Sequence, residues 1–254
     1  MRQVMVCLFL ILLGGLLSVP MAAASPCDAP PTVWGGFVTP PRVVSALARG
    51  AGVRVIAFGS SSTEGAGASA PEHTYPAQLQ SLLRERFPGR DMRVLNRGVG
   101  GENVADNLAR LDRAVLRTPA DLVIWQVGTN DALQDRDAET VASEVEAGIA
   151  AVRATGADIV LMDSQPLPDT AAERSIERIW AAVDQTALKT GTAVLPRHAL
   201  MRYWLEIGAF TFETMLGPDH LHMTDAAYHC LAVRIADLFP EKGPALVSQN
   251  HTGS

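Results

Sequence analysis

The chain has 254 residues, is 48% hydrophobic and 19% charged, and carries a formal net charge of −6 at neutral pH. That length and apolar content suffice for one domain with a substantial core. A mildly acidic chain with scattered charges lacks the basic footprint of a nucleic-acid-binding protein, so no nucleic-acid partner is expected.

The first residues read as an address. Met1-Arg2 precedes an apolar run from Val4 to Leu17, followed by Pro20 and Ala22-Ala23-Ala24. A positive start, a short apolar stretch and small residues in an A-x-A pattern make a secretory signal peptide over residues 1–24. The run is shorter than the roughly 20 apolar residues of a membrane span. The mature chain is therefore expected to be exported, periplasmic or extracellular, with no stable span after cleavage. No lipobox is present, because Ala24-Ser25-Pro26 precedes Cys27. Cys7 leaves with the signal, while Cys27 and Cys230 remain, and export favours their oxidation. A bridge from the mature N-terminus to the last helix and a pair of free thiols both stay open, since sequence does not set the geometry.

A Pro/Gly-rich leader (25–50) is followed by strands expected over Val53–Phe58, Met92–Asn96, Asp121–Gln126, Asp158–Asp163 and Ala193–Leu195. Most are continuous apolar runs, the pattern of a parallel sheet covered on both faces. Helical patterns lie between them, over Tyr75–Arg86, Val104–Leu116, Ala138–Thr155 and Ala171–Thr190. Asn103 is the expected cap of the second and Gly156 closes the third. A last helix, Ala226–Leu238, follows Thr224 as its expected cap and stops before Pro240. The alternation predicts a three-layer α/β/α sandwich with a five-stranded, mostly parallel sheet over residues 51–240. Residues 241–254 read as a disordered tail, whose Asn250-His251-Thr252 fits an N-glycosylation pattern.

In such a sheet, ligands bind outside the carboxyl ends of the strands. Four polar segments follow or face those ends. After the first strand comes Gly59-Ser60-Ser61-Ser62-Thr63-Glu64-Gly65, which can present a nucleophile, bind an anion on its backbone or simply turn the chain. Neither the dinucleotide spacing G-x-G-x-x-G nor a Gly-Lys-Ser/Thr loop is present. After the second comes Asn96-Arg97-Gly98-Val99-Gly100-Gly101-Glu102-Asn103, whose glycines expose backbone N–H groups or allow a tight turn. After the third comes Gly128-Thr129-Asn130-Asp131, a turn or a side-chain amide donor. Before the last helix stands Asp219-His220-Leu221-His222, where Asp219 and a histidine can touch as a base and its orienting carboxylate. A metal site on Asp219, His220 and His222 is the rival reading, unsupported by any accompanying ligand set.

The four segments in this order resemble the blocks of the SGNH/GDSL hydrolase family along nearly all of the mature chain. On that resemblance the Ser, Gly, Asn and His of the blocks fall on Ser61, Gly101, Asn130 and His222. One departure stands out: the family's first block usually reads Gly-Asp-Ser, and Ser60 occupies the Asp position, which leaves the nucleophile register among three serines to Gly59 and Thr63.

The resemblance implies a flavodoxin-like SGNH fold and a serine esterase with a Ser61-His222-Asp219 triad, His220 being the alternative base. The oxyanion hole would comprise the N–H groups of Ser61 and Gly101 and the Asn130 amide. No metal and no organic cofactor are needed. The expected partner is a small-molecule or glycan acyl ester, with short-chain acyl (acetyl) groups on carbohydrate favoured by export and analogy. Tyr75, Trp204 and Phe210 are candidates for a sugar platform, or core. A lysophospholipase, a thioesterase, an acyltransferase of the same fold and a catalytically silent glycan-binding module are the alternatives. The sequence sets no oligomeric state.

Overall fold

A computed structural model describes residues 25–35 and 39–241. Residues 1–24, expected to be a signal peptide, and the expected tail beyond residue 241 with its glycosylation pattern lie outside the described residues.

The chain enters through α1 (Pro41–Ala48) and then β1 (Val53–Gly59), α2 (Ser61–Glu64), α3 (Tyr75–Arg86) and β2 (Met92–Gly98). There follow α4 (Val104–Leu111), β3 (Leu122–Gln126), α5 (Thr129–Leu133), α6 (Ala138–Ala154), β4 (Asp158–Met162) and α7 (Thr170–Thr190). The last elements are β5 (Ala193–Leu195), α8 (Arg197–Glu206), α9 (Phe212–Met215) and α10 (Asp225–Ile235). All strand pairs are parallel, in the order β2-β1-β3-β4-β5.

Strand alternation sorts the core into two halves. Val53, Val55 and Ala57 of β1 pack with α1, α3, α8 and α10 on one face. Ile56 and Phe58 pack with α4, α6 and α7 on the other. The result is the expected three-layer sandwich. Long elements formed where apolar periodicity placed them. Five helices went unread: α2, α5 and α9 have four or five residues, too few to show a 3.6-residue period, α1 falls within the expected leader, and the ten-residue α8 follows β5 where no helix was expected. The helix expected over 104–116 is α-helical only to Leu111, its last turn widening into a π-type turn over Asp112–Leu116.

Caps behaved unequally. Asn103 makes a reciprocal capping box with Asp106, and Gly156 takes a positive φ after α6. Thr224 stands at the cap position of α10 without capping it, because its hydroxyl donates to the Thr214 carbonyl instead.

The leader joins the core. Trp34, Val43, Ala46 and Leu47 are buried, and Cys27 is bonded to Cys230 of α10 across 203 residues of sequence. Closing so long a loop removes unfolded-state entropy equivalent to as much as about 5 kcal/mol. Cys27→Ser should lower the denaturation midpoint clearly in oxidising buffer, with reduction of the wild type giving the same shift. An unchanged midpoint in both experiments would mean that the bridge does not form.

Candidate active site

The strand order reverses at β1, whose neighbours β2 and β3 leave in opposite directions. In this sheet order the crevice lies between the carboxyl ends of β1 and β3. Ser61 begins α2 directly after β1, and Asn130 lies in α5 directly after β3.

The structure brings Ser61, His222 and Asp219 together. Ser61 Oγ lies 2.8 Å from His222 Nε2, and His222 Nδ1 lies 2.6 Å from Asp219 Oδ2. The other carboxylate oxygen of Asp219 accepts the backbone N–H groups of Leu221 and His222, both at 3.0 Å. The carboxylate thus orients the ring and shapes the loop that carries it. Burial acts to raise the Asp219 pKa, but the His222 N–H, the His222 ring and the Leu221 N–H outweigh it, leaving a value of about 2. The loop is closed at its base, where Gly217 N–H donates to the His222 carbonyl at 2.7 Å and Leu216 pairs with Met223. His220 sits at the outer turn with φ +55°. It is His222, not His220, that reaches a serine.

Ser60, the residue in place of the family's Asp, turns inward. Its N–H and its hydroxyl both donate to Gln126 Oε1 at 2.9 Å, and Thr63 Oγ1 donates to the same oxygen at 3.4 Å. One buried amide oxygen at the end of β3 therefore holds the residues on both sides of Ser61. Thr63 also meets the Tyr75 hydroxyl at 3.3 Å. Tyr75, Trp204 and Phe210, considered above as a sugar platform, are all buried core residues. Burial pushes the Tyr75 phenol up to about 12.

The Gly-rich loop after β2 passes over the nucleophile. A Cβ on Gly98 would come 2.0 Å from Glu64 N, so only glycine lets this strand end approach α2. Among the described residues, no acceptor takes the N–H of Ser61 or of Gly101. Asn130 Nδ2 donates to the Glu102 carbonyl at 2.7 Å, which leaves its second N–H free to donate. Asp131 accepts from Val104 N and pairs with Arg136 at 2.7 Å, while Gln134 bridges Asn103 and the Gly101 carbonyl. The loops bearing Gly101 and Asn130 are thereby bolted to one another. Glu102, paired with buried Arg110 at 2.5 Å, extends the brace, since Arg110 also donates to the Gly59 carbonyl at 3.0 Å. Gln165, after β4, donates to the Leu221 carbonyl at 2.9 Å and secures the histidine loop.

Sequence reading passed over Gln126, Glu102, Arg110, Asp131 and Gln165. Gln126 carried a signal, as a polar residue ending an otherwise apolar strand. Arg110 carried none, being indistinguishable from a solvent-facing helix residue.

Chemically, the arrangement offers an activated hydroxyl, a base with a fixed tautomer and free N–H groups beside it. Asp219, His220 and His222 do not form a metal cluster among the described residues, because Asp219 and His222 are committed to each other and to Ser61.

Comparison with known proteins agrees with the family resemblance and the fold. The model of the non-GDSL lipase-like family matches residues 26–241. An arylesterase of Vibrio mimicus is 29% identical over 98 residues, 39% of this chain, and the match spans only 48% of that protein's length. Esterase TesA of Pseudomonas aeruginosa is 29% identical over 149 residues, 58% of this chain and 70% of that one. Among solved structures, Axe2, an acetylxylan esterase from Geobacillus stearothermophilus, superposes with a TM-score of 0.64 at 20% identity, covering 76% of this chain and 96% of that one. A crystal structure of TesA gives 0.62 at 25% identity, over 73% and 97% of the two chains.

Two outcomes test the geometry. A carboxyl whose folded pKa is depressed from 3.8 to about 2 contributes stability that is complete above the ordinary value and lost as pH falls through about 2. Carboxyl NMR should therefore find Asp219 titrating near 2, and a midpoint at or above 3.8 would contradict the bonding described. Gln126→Leu should strand the Ser60 and Thr63 donors, at about 1–3 kcal/mol for each buried group left unpaired. Its modification by a fluorophosphonate should slow tenfold or more, while Gln126→Glu, which keeps the acceptor, should recover much of the rate.

Proposed function

The chain belongs to the non-GDSL lipase-like family, within the SGNH/GDSL hydrolases, and on that premise we propose that it is an exported serine esterase acting on short-chain, acetyl-type carboxylic esters. The observation that carries the reading is His222, one ring nitrogen on Ser61 Oγ and the other on Asp219.

In this mechanism Ser61 Oγ forms a bond to the ester carbonyl carbon while its proton passes to His222 Nε2. The developing oxyanion is received by the N–H groups of Ser61 and Gly101 and the Asn130 amide, donors of a kind worth about 10²–10³ in rate each. The bond to the alcohol then breaks, and the alcohol leaves with the proton from His222. Water, deprotonated by the same ring, attacks the acyl-serine and releases the acid and the free hydroxyl. Asp219 stays ionised throughout and stabilises the imidazolium.

Support for ester chemistry comes from the arylesterase and esterase relatives and the acetylxylan esterase neighbour. Support for export comes from the pattern of residues 1–24. The mature chain would then begin near residue 25, with the disulfide formed after translocation.

Labelling the mature protein with a fluorophosphonate and mapping the adduct tests the reading. A single adduct on Ser61 is expected, lost in Ser61→Ala and His222→Ala, whose esterase rates should fall by a factor on the order of 10⁴ or more. With p-nitrophenyl esters of increasing chain length, kcat/KM should peak at acetate or propionate. A folded protein that takes no label would overturn the catalytic assignment, and a peak at long chains would overturn the short-acyl one.

A further inference from the structure

A cleft of about 620 Å³ opens beside the nucleophile helix. Its walls are the 65–71 loop, the first turns of α3 and the outer face of the edge strand β2, with Glu64, Ser69, Gln80, Val94 and Asn96 among the lining residues. Glu64 links the cleft to the reacting centre: a single point, the Cβ position of Gly100, lies 2.8 Å from Glu64 Oε2 and 3.8 Å from Ser61 Cβ. On its far side the 65–71 wall packs against the histidine loop, a Cβ on Gly67 falling 2.9 Å from His222 Cβ. Three contacts fix the wall. The Tyr228 hydroxyl donates to the Ala66 carbonyl at 2.7 Å, Ser69 N–H donates to Asp225 at 2.8 Å, and Ser69 Oγ meets His73 Nδ1 at 2.8 Å.

The chemistry of the lining is specific. The Glu64 carboxylate has no hydrogen-bond or ion-pair partner among the described residues. Gln80 spends its amide oxygen on Val94 N–H, leaving its amide N–H groups to donate. Asn96 uses one amide N–H on the Glu64 carbonyl and keeps the other. No lysine or arginine lines the cleft. Strand alternation explains this, because Val94 and Asn96 face the cleft while Arg93 and Arg97 project to the opposite side of β2. An unpaired carboxylate with amide donors around it suits a ligand that offers several hydroxyls, each both donor and acceptor. Its charge repels phosphate, which weighs against phospholipid headgroups and nucleotide thioesters. No aromatic residue lines it, so it lacks the ring faces that hold quaternary ammonium groups.

Building on the esterase reading above, we propose that this cleft is the subsite for the alcohol portion of the ester, and that it takes a neutral polyhydroxylated alcohol, a sugar unit, with Glu64 as a specificity-determining residue.

The test compares kcat/KM for one acyl group on different alcohols, using an acetylated methyl xyloside, p-nitrophenyl acetate, acetylcholine and acetyl-CoA. Wild type should prefer the acetylated xyloside to acetylcholine and acetyl-CoA. The ratio of xyloside to aryl ester should fall tenfold or more in Glu64→Gln and in Ala77→Trp, which fills the cleft from α3, with the change carried mainly by KM. Fluorophosphonate labelling of Ser61 reports the esterase reading separately. Labelled enzyme whose ratio is unmoved in both variants, or whose preferred ester is acetyl-CoA or acetylcholine, overturns the subsite and leaves the esterase standing. Absence of labelling in folded wild type overturns both.

Discussion

A parallel sheet covered on both faces leaves polar side chains almost nowhere to go except its ends. The interior of β1 and β3 is largely apolar on both sides, so polar side chains near them collect mainly at the strand ends, those of the site at the carboxyl edge. There the chain stops being extended, donors and acceptors become free, and the reversal of strand order opens a crevice. Ser61, Gly101 and Asn130 are separated by about 70 residues of sequence, yet all three follow strands that end at this edge. The sheet supplies the convergence, and the loops need only be short.

What holds the edge rigid is a set of buried polar contacts. Gln126 ties β3 to the nucleophile turn, Arg110 ties α4 to Gly59, and Asp131 ties α5 to the start of α4. Each contact joins two different blocks, so displacing one loop breaks bonds in its neighbour. Groups so placed are costly to leave unpaired, which makes the arrangement cooperative rather than additive. Gln126 and Ser60 also show how the first block dispenses with its usual carboxylate. Two neutral donors meet one neutral acceptor, and the turn is held without burying a charge next to the nucleophile.

The histidine arrives from the far end of the chain and depends on different supports. Its loop is closed at the base, packed against the 65–71 segment and bonded to Gln165, while α10 behind it is fixed to the segment around Cys27 by the disulfide. The same 65–71 segment bounds the cleft beside Glu64. A single short stretch therefore positions the base on one face and shapes the proposed alcohol subsite on the other.

The sequence by itself determined the five strands and most of the longer helices, though not α8, together with the parallel sheet and the order of the four polar blocks, because apolar periodicity and strand-end chemistry are local properties. It also placed Asp219 within reach of a histidine, since three residues of one loop fix that distance. Only the tertiary structure decided between His222 and His220, because reaching Ser61 depends on how a loop 161 residues away is folded back. It likewise decided that Cys27 pairs with Cys230, that Tyr75 and Trp204 are core, and that Gln126 stands in for a missing carboxylate. Each of these depends on what lies across space from a residue. That is set by how the layers pack and leaves no pattern in the neighbouring sequence.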